Sequence, residues 1–231
     1  MPEEDLALLL AKRLSQYTDW DVVPIVPKAI KNAKHYTVRK ILVEDLCAYK
    51  DQTRNACADS IAYVPEDELQ LLLANRLSQY NDTHAKDLLP KAIKNATYYS
   101  VRKVLVNDLC AYGPGGKKKS EGIRTAVTDS FPYVEEDLQL LLAKQLIKYN
   151  DKEARSALLK IIPKAKSSTV QKLLVEDFCR YSNVSIATLS SLVLSITDAE
   201  IKKIIVHRMA VSNEVQENMD KVIKFMDYDV Q

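Results

Sequence analysis

Glycine is scarce, with 4 residues in a chain of 231. Tight hairpins and phosphate-cradling loops need backbone at positive φ, which glycine adopts most readily. A hairpin-rich β fold and a nucleotide-binding loop are therefore disfavoured. Cysteine is equally rare, and its 4 copies are widely spaced. Three of them, Cys47, Cys110 and Cys179, occupy equivalent places in a repeat. That reads as free thiols in a reducing compartment, not as a disulfide framework. An excess of one charge sign is missing as well: 33 Lys and Arg stand against 31 Asp and Glu. Such a balance marks neither a dedicated nucleic-acid binder nor a polyanion. No apolar run approaches the ~20 residues of a membrane span. Met1-Pro2-Glu3-Glu4-Asp5 is acidic where a secretory leader would be basic. The expectation is a cytoplasmic or nuclear protein that makes no membrane contact. His35, His84 and His207 are far apart and form no His-x-x-x-His or His-Glu pair, so neither a metal site nor a cofactor is expected.

What the chain does contain is repetition. The segment ending LSQY at Tyr17 returns 63 residues later at Tyr80, and again, as LIKY, 69 residues after that at Tyr149. TVRKILVEDLCAY, ending at Tyr49, returns as SVRKVLVNDLCAY at Tyr112 and TVQKLLVEDFCRY at Tyr181. The six additional residues of the second interval fit in a glycine- and lysine-rich stretch, 113–120, expected to be a flexible basic loop. Both motifs follow one frame, with apolar residues at i, i+3, i+4 and i+8 and Tyr at i+11, which is one face of an α-helix. Leu6, Leu9, Leu10, Leu14 and Tyr17 fill it first, and Val38, Ile41, Leu42, Leu46 and Tyr49 fill it next. Ile201, Ile204, Ile205 and Met209 fill it last, with Ser212 in the Tyr slot. Less regular apolar stripes between these segments predict a second set of helices, with Thr53, Asp82, Asp151 and Asp198 as N-cap candidates.

The unit is thus a helix pair of 31–32 residues, too short to bury its apolar face alone. The expected fold class is all-α, with no β-sheet: an α-solenoid of about seven stacked helix pairs. It forms one domain over 1–231, with units near 3–34, 35–64, 65–97, 98–134, 135–167, 168–198 and 199–231.

The tandem AKDLLPKAIKNATYYSVRKVLVNDL resembles a HEAT repeat, with Leu88, Leu89 and Pro90 at the entry of its first helix and Val101-Arg102 opening its second. The first copy carries Val26, Pro27, Val38 and Arg39 at these places, and the third has Gln171 instead of the Arg. EEDLALLLAKRLSQY followed by VVPIVPKAIKNA is also similar to segments of the scaffold subunit of type-2A protein phosphatases. The resemblance implies a non-catalytic scaffold or adaptor that binds protein along a concave groove.

Two sets of positions stand out against this frame. One polar slot inside the apolar stripe reads Arg13, Asp45, Arg76, Asp108, Gln145, Asp177 and Arg208 along the chain. Nearly alternating signs predict that neighbouring units pair these side chains into a structural ladder, since isolated buried charge is costly. Away from the stripe lie Leu8, Leu71 and Leu140 on one helix flavour, and Lys40 with Val43, Lys103 with Val106 and Lys172 with Val175 on the other. In a solenoid these residues would line the groove and take a protein segment bearing apolar and acidic groups. No residue is assigned a catalytic role. A nucleic-acid-binding solenoid, resembling the HEAT-like alkylpurine DNA glycosylases, ranks second. It would need aromatic residues interleaved with the groove lysines, and few are there.

Overall fold

The computed structural model describes residues 3–16, 22–48, 53–80, 83–112, 122–181 and 184–211. The basic stretch 113–120, Asp82 and Ser212 lie outside the described residues. The described residues form thirteen α-helices and no strand. They are α1 (Glu3–Leu14), α2 (Val26–Asn32), α3 (Tyr36–Ala48), α4 (Arg54–Ser60), α5 (Asp67–Ser78), α6 (Thr83–Asn95), α7 (Tyr99–Cys110), α8 (Ile123–Ser130), α9 (Glu136–Ile147), α10 (Lys152–Ile161), α11 (Ser168–Phe178), α12 (Ile186–Ser195) and α13 (Ala199–Ala210). The helices that carry the repeated frame are the odd-numbered ones. Asp151 caps α10 by accepting Ala154 N–H at 2.8 Å, and Asp198 caps α13 through Glu200 and Ile201. Thr53 makes no side-chain cap. Its hydroxyl lies 2.6 Å from that of Tyr80 instead.

The chain divides into two compact units, Met1–Val134 and Glu135–Gln231. In the first, each helix packs on the helix two places along: α1 on α3, α3 on α5 and α5 on α7 make one layer, and α2 on α4, α4 on α6 and α6 on α8 make the other. The two layers meet through α2 on α3, α4 on α5 and α6 on α7. In the second unit, α9 packs on α11 and α11 on α13, with α10 touching α9 and α11, and α12 touching α13.

Which side of a pattern helix is buried differs from the expected stripe. In α5 the buried residues are Leu69, Gln70, Leu73, Ala74 and Leu77. In α7 they are Val101, Leu105, Val106, Asp108 and Leu109. Position i+5 is therefore inside the core and i+3 is at its edge. At ~100° per residue this rotates the centre of the buried arc by roughly 55° in α5 and roughly 25° in α7. The reason lies in the layering. A pattern helix has neighbours on both flanks and a second layer beneath it, and the core lies toward the layer beneath. Both flanks are apolar enough to be covered, so periodicity alone did not decide between them.

α1 departs furthest from expectation. Leu6, Leu9 and Leu10 are 47%, 57% and 61% exposed, whereas Leu69 and Leu73, their counterparts of Leu6 and Leu10 in α5, are 3% and 0% exposed. α5 is packed by both α3 and α4, while α1 packs on α3.

The repeated polar residues fasten the turns. Gln70, fully buried, shares its two amide hydrogens among the carbonyls of Ile61 (3.0 Å) and Val64 (2.7 Å) and Thr97 Oγ1, and accepts from Thr97 N–H at 3.1 Å. Gln139 likewise accepts from Lys166 N–H at 2.9 Å and donates to Lys164 O. The Arg of the repeated Val-Arg pair has a similar task. Arg39 donates to Ala33 O at 2.7 Å and clamps the Glu66 carboxylate, and Arg102 donates to Ala96 O at 2.6 Å. Gln171, standing where the third copy lacks the Arg, donates to Ile162 O.

Candidate binding surface

The proposed groove positions separate into two groups. Lys40, Lys103 and Lys172 are exposed, and Leu8, Leu71 and Leu140 are half-buried. Val43, Val106 and Val175 are fully buried, so they are core residues and not groove residues. They occupy i+5, which faces the other helix layer. The sequence reading missed the row that replaces them. Position i+3 carries Leu9, Ile41, Leu72 and Val104 in the first unit, and Leu141, Leu173 and Ile204 in the second. Leu9 and Leu72 are exposed and the others are half-buried. On the outward face of the first unit, this apolar row runs beside the Leu8, Lys40, Leu71, Lys103 row.

The lysines are not equivalent. Lys40 lies 3.9 Å from Glu44, and Lys172 lies 4.0 Å from Glu176, each one helical turn away. In α7 the corresponding position is Asn107, and Lys103 sits 5.8 Å from the centre of the Tyr99 ring. Exposed i,i+4 pairs contribute only tenths of a kcal/mol, about 0.3–0.5, so all three lysines still present positive charge outward. In the second unit Lys172 and Glu176 also line a shallow depression of about 270 Å³ with Leu173, Asp198 and Glu200.

The polar slot lies at the edge of the core. Its long side chains reach local acceptors. Arg13 donates to Gln16 and Arg76 to Gln79, both at 2.8 Å, and Arg208 donates to the Tyr181 carbonyl at 3.1 Å. Gln145 accepts from Lys148, and Asp177, buried, lies 3.6 Å from Arg180. Asp108 is buried as well. Asp45 does not join a ladder: among the described residues no ion pair links it to Arg13 or Arg76, and its Oδ2 is buried without a hydrogen-bond partner. Burial pushes its carboxyl above the ordinary 3.8. A guanidinium at the core edge has the length to reach water and nearby carbonyls, and the shorter Asp has not.

Of the tyrosines that end the pattern helices, Tyr17 and Tyr49 lie outside the described residues, Tyr112 is fully buried, and Tyr80 is half-buried with its hydroxyl against Thr53. Among the described residues no group of three or more His, Cys, Asp or Glu could hold a metal ion, and no helix is long and apolar enough to cross a membrane. No protein-family model matches the chain, and no curated protein matches its sequence.

Proposed function

We propose that the chain is a HEAT-like α-solenoid that serves as a non-catalytic scaffold in the cytoplasm or nucleus. It holds a protein segment bearing apolar and acidic groups against the outward face of the pattern helices. The supporting observation is the row at i+3. Leu72 is exposed in the middle of a well-packed helix, whereas Leu73 beside it is fully buried. Leaving such a side chain fully wet forfeits roughly 1.5–3 kcal/mol; Leu9 and Leu72 are exposed, and the half-buried Ile41 and Val104 continue the row in register on the other two pattern helices of the first unit. The lysines beside them supply orientation and association rate more than affinity. Lys103, with Asn107 rather than a glutamate one turn away, is the best placed to meet an acidic group.

The test is selection of peptides from a random display library on the immobilised protein, followed by affinity measurement on variants. Leu72→Asp should weaken the selected acidic–apolar peptides tenfold or more, about 1.4 kcal/mol. Its helical circular dichroism and melting should stay as in the parent. Lys103→Glu should slow association. Peptides that bind Leu72→Asp as tightly as the parent would remove this face from consideration.

A second reading rests on the opposite layer of the first unit. There Lys31 lies 5.2 Å from the centre of the Tyr63 ring, and Lys94 lies 5.4 Å from that of Tyr133. Lys28 and Lys31 line an open cleft of about 510 Å³ with Tyr63, Asp59 and Pro27. Cation and aromatic side by side suit a nucleic acid. A steep fall of oligonucleotide affinity with salt would favour this reading, since phosphate contacts release counterions.

A further inference from the structure

α1 presents a side that the equivalent helices keep covered. α3 is the helix packed on it, and Ala7, Leu8, Ala11, Leu14 and Ser15 are buried or half-buried on that side. Glu4 belongs to the same side and accepts from Thr37 of α3 at 3.2 Å. Opposite lie Leu6, Leu9, Leu10 and Arg13, all exposed, which at ~100° per residue share an arc of roughly 100°. The counterparts of Leu6 and Leu10 are buried in both α5 (Leu69, Leu73) and α9 (Leu138, Leu142). A contiguous apolar patch rimmed by charge marks an interaction site, where scattered exposed leucines do not. The rim of this patch has a polarity. Glu3, Glu4 and Asp5 fill the first turn of α1, and Lys12 and Arg13 stand in the last. Asp5 and Lys12 are seven residues apart, so they lie on one edge of the patch, about 20° from each other. Among the described residues neither forms an ion pair.

We propose that this face binds a second copy of the chain, α1 against α1, antiparallel about a two-fold axis. Antiparallel helices bring like edges together, so Asp5 of one copy meets Lys12 of the other, and the axis makes the same pair twice. Leu6 of each copy then packs on Leu9 and Leu10 of the other, and each Arg13 comes to the acidic first turn facing it. A parallel pair would bring unlike edges together, setting Asp5 beside Leu10 and leaving Lys12 without an acid. The charge pattern therefore selects the antiparallel arrangement. One helix from each copy makes a small interface, so the pair forms at roughly tens of micromolar and above, and at about 1 µM the chain is a monomer. The pair takes Leu9 from the outward row but neither Leu72 nor Lys103, so it stands apart from the peptide-binding reading.

The experiment is sedimentation equilibrium of the full chain at low salt, over roughly 1–300 µM, which spans weak association. The parent should pass from monomer to dimer. Leu9→Asp should weaken association at least tenfold, with its circular dichroism and melting at low concentration unchanged from the parent. Asp5→Lys and Lys12→Asp each set like charges opposite one another twice, and each should weaken association on the order of tenfold. Mixed in equal amounts, the two variants restore both ion pairs between unlike copies, and the mixture should dimerise about as well as the parent. Leu72→Asp should dimerise as the parent does. A parent that stays monomeric up to the highest concentration overturns the proposal, as does a Leu9→Asp protein that dimerises like the parent. Loss of the dimer in Leu72→Asp would put the interface elsewhere and overturn it too. A mixture of the charge variants that forms no more dimer than either alone overturns the antiparallel pairing and the proposal with it.

Discussion

Gln70 offers the sharpest test of how the turns are held. Its two N–H hydrogens are shared among the Ile61 and Val64 carbonyls before α5 and Thr97 Oγ1 before α7, and its oxygen accepts from Thr97 N–H. Replacing it by leucine keeps much of the volume and removes these bonds. At about 0.5–1.5 kcal/mol net for each of two donated bonds and one accepted bond, with two buried carbonyls left unpaired, the expected loss is about 3 kcal/mol. Replacing it by alanine adds a cavity, for roughly 1–2 kcal/mol more. Urea titration followed by circular dichroism reads both values. Amide hydrogen exchange at Thr97 reads the bond itself, and should speed up in both variants ahead of the core of α5. If Gln70→Leu changes stability by less than about 0.5 kcal/mol (the scatter of a surface substitution), then Gln70 does not hold the turns.

Leu10 and Leu73 occupy the same place in nearly identical helices, yet one is 61% exposed and the other fully buried. Leu73→Ala should cost about 2–5 kcal/mol in urea unfolding, and Leu10→Ala about 0.5 kcal/mol or less. Comparable losses would mean that α1 is covered in solution. Asp45 has its carboxyl raised by burial, so the folded state holds the proton more tightly than the unfolded chain. Its ionised form therefore opposes folding at neutral pH, and that opposition disappears as pH falls through the folded pKa toward the ordinary 3.8. Asp45→Asn should raise the neutral-pH melting temperature, with a gain that shrinks on acidification. A gain that grows with acid, or a loss at neutral pH, would indicate a cation partner for Asp45.

The helices were legible in the sequence because their signals are local. Spacings of three and four residues place apolar side chains on one side of a helix whatever surrounds it, and Asp151 and Asp198 cap the helices that follow them. The repeat also announced that equivalent helices would share a setting, as Leu73, Leu105, Leu142 and Leu174 do by being fully buried. The sequence did not determine which flank of each apolar stripe meets the second layer. Val43 and Leu72 are both apolar and lie on opposite flanks, and only the placement of neighbouring helices buries the first and leaves the second at the surface. The charged slot shows the same division. Its alternating signs were readable, but whether Asp45 finds a cation depends on where a guanidinium ends in three dimensions. Gln70 and Gln139 were visible as repeated letters, and their role appeared only when the turns from other repeats came within hydrogen-bonding reach. Periodicity encodes what a helix does to its own side chains, while contacts between helices are set by packing that no single segment contains.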